Sequence, residues 1–393
     1  MNPSPPLPLA ALLALAMTGF LCIATETLPA GLLPQISAGL GISAALAGQM
    51  ISAYALGSVL AAIPLVLATR SWSRRSVLLL SIIGFLLFNS VTAWSSHYGL
   101  TLAARFGAGM AAGLAWSQLA GYARRMVQPR QQGKAMAIAM VGTPIALSLG
   151  VPLGTWLGTL LGWRATFWVM SAVTLGLVGW VLAKVPNFPG QASHEQLPLR
   201  HVLATPGVRP VLAVVIAWML AHNLLYTYIA PFVARAGLGA RVDLVLLAFG
   251  VAALLGIWVT GRLVDHYLRH AVLLSLATFA AVALLLGVAG SQPAVVGVAV
   301  LLWGLSFGGA ATLLQTALAD SAGPGADVAL SMNVVAWNGA ITGAGVLGGV
   351  LLEYAGIGVF PWAVLALLGV ALVIAAGARA HGFQPGVREH ATA

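Results

Sequence analysis

Three side chains carry a charge or a titratable ring into stretches that are otherwise apolar: Glu26, Arg105 and His222. A carboxylate inside a bilayer costs a few kcal/mol and is retained for function, and one that gains and loses a proton there is a proton carrier. At a helical rise of about 1.5 Å per residue, Glu26 lies about 12 Å and Arg105 about 9 Å below the same end of their stretches. The spacing therefore predicts an acid and a base at matching depth. It is also compatible with a static ion pair that locks two helices. His222 titrates near neutrality in water and is a second candidate proton carrier.

Trp218, His222 and Tyr226 recur every fourth residue and form one helical stripe, with Asn223 beside them. Lipid offers nothing to a histidine or an asparagine, so this stripe is expected to face the protein interior and contact substrate. Tyr54, Trp116, Gln118 and Asn338 are weaker cavity candidates, each of which could instead bond a neighbouring helix. No Walker motif, zinc-ligand spacing or paired catalytic carboxylates appear. An enzyme, a cofactor and a metal are therefore not expected. The single cysteine, Cys22, excludes an intrachain disulfide.

The elements that position these residues follow from composition. The chain has 393 residues, 60% of them apolar and 7% charged, with a mean hydropathy of +0.98. A soluble domain carries about 25% charged residues, so soluble enzymes and nucleic-acid binders are excluded and a multi-pass membrane protein remains. Stretches of about 20 apolar residues, enough for one crossing, recur near 9–34, 45–69, 76–94, 99–122, 134–160 and 165–184. Six more follow near 209–234, 242–264, 271–289, 294–319, 328–351 and 358–378. This predicts an all-α membrane protein with a six-helix bundle at 1–184, a linker at 185–208, a second six-helix bundle at 209–379 and a tail at 380–393. Of the 18 Lys and Arg residues, fourteen fall in one set of connections, three in the other, and Arg105 within a span. Basic connections stay in the cytoplasm, which places both termini there.

An offset of 195 residues aligns the two halves at three places: Arg74 with Arg269, Gly109 and Gly113 with Gly304 and Gly308, and Gly150 and Gly154 with Gly345 and Gly349. Repeated halves imply a duplicated architecture with two pseudo-symmetric bundles. Runs of small residues let helices approach and slide. Pro152 removes a backbone hydrogen bond and is expected to bend the fifth span.

The run Leu149-Gly150-Val151-Pro152-Leu153-Gly154-Thr155, followed by Gly162-Trp163-Arg164 and Phe167, resembles the fifth-span segment of bacterial sugar efflux transporters. So do Thr25-Glu26 with Gly31-Leu32-Leu33-Pro34, Tyr54-Ala55-Leu56-Gly57, and His222-Asn223 with Tyr226, Tyr228, Pro231, Phe232 and Val233. These proteins, with the similar arabinose efflux permeases, belong to the twelve-span drug:proton antiporter branch of the major facilitator superfamily. Val151 separates Gly150 from Pro152, whereas the general antiporter motif has Gly directly before Pro. Arg105 with Gly109 matches the fourth-span Arg-x-x-x-Gly signature, which the resemblance links to proton coupling. The superfamily's loop motif is degraded to Val66, Ala68, Arg70 and Arg74, next to Arg75, but is intact as Gly261, Leu263, Asp265 and Arg269. The resemblance implies that this motif is a cytoplasmic latch, resting here mainly on Asp265, and that Arg74, Arg75, Gly150, Pro152, Gly154, Gly261, Asp265 and Arg269 serve gating.

The expectation is a proton-coupled exporter of small neutral or amphipathic solutes, acting as a monomer in a bacterial inner membrane. Its partners would be the solute, protons and the lipid bilayer, with no nucleic acid. Sugars and phenicol-like antibiotics are the classes implied by the resemblance, with drug resistance as a possible outcome. A purine nucleoside or other metabolite is the alternative within the same fold. A membrane-embedded transferase and a ligand-sensing membrane protein are the alternatives of a different class.

Overall fold

The computed structural model describes residues 6–69, 71–128, 131–190 and 199–386. Arg70, Arg130, Arg388, residues 191–198 of the expected linker and the end of the tail lie outside them. Among the described residues, nine stretches are long and apolar enough to cross a bilayer. One of them, Gly239–Ala289, has 51 residues, more than twice the roughly 20 needed for one crossing. Adding the helices at 44–69 and 98–125, of 26 and 28 residues, accounts for all twelve expected crossings.

The first half runs α1 (Leu9–Leu40), α2 (Ala44–Thr69), α3 (Arg74–Trp94), α4 (Tyr98–Arg125), α5 (Gln132–Met140), α6 (Gly142–Ile145), a π turn at Ala146–Gly150, α7 (Val151–Leu161) and α8 (Trp163–Lys184). Helix α1 ends at Gly41, whose φ of 65° is the left-handed cap that glycine adopts without strain. The fifth span is expected as one bent helix; instead it is interrupted. Pro152 lacks an N–H and its ring crowds the carbonyl four residues back, that of Ser148. Ser148 lies inside the π turn, which widens the helix at that point.

The second half runs α9 (Leu199–Ala204), α10 (Val208–Thr227), α11 (Ile229–Ala234), α12 (Val242–Ala289), α13 (Pro293–Gly308), α14 (Ala310–Ala322), α15 (Ala326–Tyr354) and α16 (Phe360–Gly377). The seventh span breaks after Thr227, the residue whose carbonyl the ring of Pro231 would strike. The tenth breaks at Gly309. Spans eight and nine, expected to be joined by a loop, are two helices within α12 that meet directly at a kink, where Tyr267 has a non-helical φ of −133° and ψ of 30°. The Gly261–Arg269 motif is thus a helical bend.

The chain forms two compact units, residues 1–42 with 53–193 and residues 43–52 with 194–393. In the first, α3 packs on α4 and α8, and α1 crosses α4, α5, α7 and α8. In the second, α12 packs on α13 and α16, and α10 on α15 and α16. The segment Ser43–Ser52, at the start of α2, belongs to the second unit, where Nε2 of Gln49 donates to the Gly345 carbonyl at 3.0 Å. Tyr228 donates to the same carbonyl at 2.8 Å.

The 195-residue offset is written into the packing. Gly109 lies against the main-chain carbonyl of Tyr54, and Gly304 against that of Phe249. Gly113 lies against Ser58, and Gly308 against Ala253. Each partner pair keeps the same offset as the glycines. A side chain at any of these positions would meet backbone, so α4 on α2 and α13 on α12 are two copies of one close helix crossing.

Candidate functional site

In the first unit the candidate cluster around Glu26 and Arg105 is built from α1, α2, α3, α4 and α8. Glu26 is 6% exposed and Arg105 fully buried. The Arg105 guanidinium donates through Nη2 to the main-chain carbonyl of Glu26 at 3.3 Å. It also lies over the rings of Tyr54 at 5.0 Å and Phe167 at 5.8 Å. Aromatic faces and a carbonyl offset part of the cost of desolvating a guanidinium, and the carboxylate of Glu26 is within Coulombic reach of it. The expected pair at matching depth is thus brought together.

Second contacts hold this pair in place. Tyr54 donates its hydroxyl to the carbonyl of Cys22, one turn before Glu26, at 2.8 Å. Asn89 on α3 donates to the hydroxyl of Thr25 at 3.1 Å. Pro29 removes the N–H that would bond the Thr25 carbonyl, which loosens α1 beside Glu26. Trp116 packs against the apolar cluster of Cys22, Tyr54, Phe85 and small residues of α4. Gln118 is not part of this group; it lines a separate cavity with arginines at the far end of α4.

In the second unit the stripe on α10 is buried, with Trp218 at 0%, His222 at 6%, Asn223 at 8% and Tyr226 at 2% exposure. His222 lies flat on Phe307, with centroids 3.4 Å apart and planes 3° apart. Tyr226, Phe249 and Trp303 surround it at 5.3, 5.8 and 5.3 Å. The indole N–H of Trp303 donates to Nδ1 of His222 at 3.2 Å. Asn223 donates Nδ2 to the Met219 carbonyl of its own helix at 2.8 Å, and Asn338 does likewise to Val334 at 3.0 Å. The hydroxyl of Tyr226, Nε1 of Trp218 and Oδ1 of Asn333 are buried without a hydrogen-bond partner among the described residues. Such atoms are costly unless something else bonds them.

The residues expected to gate are dispersed. Gly150 and Gly154 admit Phe20 and Leu28 of α1 against the broken fifth span, and Pro152 is buried there. The main-chain N–H of Arg74 donates to the Phe188 carbonyl at 2.9 Å, and that of Arg75 to Oδ1 of Asn187 at 3.2 Å. Arg269 donates to the carbonyls of Ala375, Ala376 and Phe383 at 3.0, 2.9 and 2.9 Å. It therefore closes the C-terminal end of α16, where a cation also suits the helix dipole. Asp265 is half-buried near the bend, and Gly261 has open space around it.

Asn89, Phe249, Trp303, Phe307 and Asn333 are absent from the sequence expectations. Phe249 was findable: it is Tyr54 shifted by 195 residues. The same shift carries Glu26 to Ala221, the neighbour of His222, so the two clusters occupy equivalent registers of α1 and α10.

The sequence matches the family profile described as the Major Facilitator Superfamily over residues 15–338. The chain belongs to the major facilitator superfamily. Among its relatives is the purine ribonucleoside efflux pump NepI of Escherichia coli O157:H7, 29% identical over 345 residues that cover 85% of each chain. NepI of Escherichia coli strain K12 is 28% identical over 341 residues, again 85% of each chain. Among solved structures, a bacterial homolog of the human lysosomal transporter Spinster, inward-facing and unoccupied, aligns over 95% of each chain with a TM-score of 0.67 and 14% identity. The fold is that of a superfamily transporter, and the protein is a multi-pass membrane transporter rather than an enzyme.

Proposed function

We propose that this transporter exports a neutral, ring-bearing polar solute in exchange for protons, and that the solute class is the ribonucleosides. The observation that carries the coupling is the Glu26–Arg105 cluster. Glu26 is the sole acid among the first 194 residues, and it is buried beside a guanidinium held by its own main-chain carbonyl. Arg105 keeps its carbonyl and aromatic contacts whether or not Glu26 is charged. Protonation of Glu26 therefore changes the net charge of the cluster from zero to plus one without dismantling it. A charge change in a desolvated site alters the relative stability of water-exposed and closed states. Protonation that favours one orientation of the transporter and solute that favours the other would give antiport by alternating access, in a bacterial inner membrane with both termini cytoplasmic.

The aromatic group around His222 supports the solute class. A purine base offers a flat face to stack on such rings, and a ribose offers hydroxyls to Tyr226, Trp218 and Asn333. A neutral sugar has no flat aromatic face of its own to stack on them. The relatives named as purine ribonucleoside pumps favour the nucleoside reading over the sugars and phenicol-like drugs expected at first. Everted membrane vesicles under an imposed pH gradient test it with labelled inosine, arabinose and a phenicol in parallel. Accumulation of inosine alone supports the reading; accumulation of arabinose or the phenicol without inosine removes it.

A further inference from the structure

The first unit contains a cavity of about 350 Å³ between α3, α4 and α5. Its lining includes Arg74, Arg124, Arg125, Gln118, Tyr122 and Gln132. It is distinct from the Glu26 cluster, since Gln118 follows Arg105 on α4 by thirteen residues, about 20 Å of helix. The count of basic connections puts this end on the cytoplasmic side.

Two independent features point to a ligand. The first is charge. Three guanidinium groups line the cavity, and Arg74 and Arg125 are close enough to repel each other. The sequence of this unit supplies no carboxylate except Glu26, which is committed to the distant cluster. The second is Gln118, which is 6% exposed, with neither its amide oxygen nor its amide nitrogen bonded among the described residues. The remaining walls are fixed: Tyr122 donates to the Pro186 carbonyl at 2.7 Å, and Arg124 Nε to Oε1 of Gln132 at 3.1 Å. That bond orients the guanidinium fork of Arg124, a shape that matches phosphate oxygens. The volume falls at the small end of the range for organic ligands, about 300 to 1,000 Å³.

We infer that this cavity binds a phosphate ester, with Arg124 and Arg125 taking its oxygens and the Gln118 amide donating to it. The ester can be a soluble sugar phosphate or the headgroup of an anionic lipid, which share this chemistry. The site stands independently of the transport reading, because none of its residues belongs to the Glu26 or His222 clusters. The test is thermal unfolding of the full-length protein in lipid nanodiscs. In phosphatidylcholine discs, ribose 5-phosphate should raise the Tm of the parent saturably while ribose does nothing. Arg125→Gln or Gln118→Leu should weaken that response about tenfold or more in midpoint concentration. If the headgroup is the occupant, phosphatidylglycerol discs should raise the parent's Tm instead, ribose 5-phosphate should add nothing, and both variants should lose the increment. Equal behaviour of the parent and both variants in the two arms, or no shift in either, overturns the inference.

Discussion

Trp303 donates its indole N–H to Nδ1 of His222 at 3.2 Å, which assigns the histidine's protons. An indole nitrogen only donates, so Nδ1 carries a lone pair and the neutral ring keeps its proton on Nε2. Protonation at Nδ1 would oppose two donors, inside a shell formed by the rings of Tyr226, Phe249, Trp303 and Phe307. His222 is therefore suited to shaping the solute site more than to carrying the proton. His222→Asn, whose Oδ1 can still accept from Trp303, is expected to weaken solute binding while keeping pH-driven accumulation. Binding assays alongside transport check this. Retained binding with lost accumulation would move the proton to His222.

Tyr226 gives a prediction with two signs. Its hydroxyl is buried and unbonded among the described residues, a condition that costs about 1 to 3 kcal/mol. Tyr226→Phe should accordingly raise the Tm of the solute-free protein. It should also lower solute affinity roughly 5- to 150-fold, the equivalent of one lost hydrogen bond in a desolvated site. Calorimetric unfolding and equilibrium binding on the same preparation read both effects.

The paired crossings predict paired costs. Gly109→Ala and Gly304→Ala each push a methyl group into the carbonyl of the facing helix, an overpacking of about 1 to 3 kcal/mol. Gly261→Ala meets open space and should be neutral or stabilising, since alanine favours helix by up to about 1 kcal/mol. Thermal unfolding of the three variants distinguishes them.

The legibility of the site in the sequence divides along the same lines. Glu26 and Arg105 were readable because charge in an apolar stretch is rare and helical rise sets depth. The repeat was readable because glycines at a backbone crossing tolerate no side chain. Trp303 and Phe307 were not, because an aromatic residue in a greasy helix is unremarkable until its partner is known; Phe249 was readable only through its 195-residue offset from Tyr54. The interruptions at Tyr228 and Gly309 were also hidden, and for the π turn the sequence showed only the bend expected at Pro152. Hydropathy averages over them, and only the clash of Pro152 with Ser148 and of Pro231 with Thr227 accounts for two of the three. Arg269 illustrates another limit: the motif marks the residue but does not disclose that its side chain binds the carbonyls that end α16.

Arg269→Gln should therefore fray the end of α16. The loss of three charge-assisted contacts to carbonyls is expected to cost about 1.5 to 3 kcal/mol locally. Faster hydrogen exchange confined to residues near 375–383 would show it, and unchanged protection there would contradict the capping role.

The central claim is that Glu26 carries the coupling proton, and Glu26→Gln tests it most directly. A glutamine keeps the size and the main-chain carbonyl that holds Arg105 but cannot change charge. In proteoliposomes, labelled inosine, representing the proposed solute class, is followed in two modes: exchange without a pH gradient and accumulation driven by one. The account predicts that exchange persists and that gradient-driven accumulation falls to the level of empty vesicles. Accumulation equal to that of the parent would contradict it.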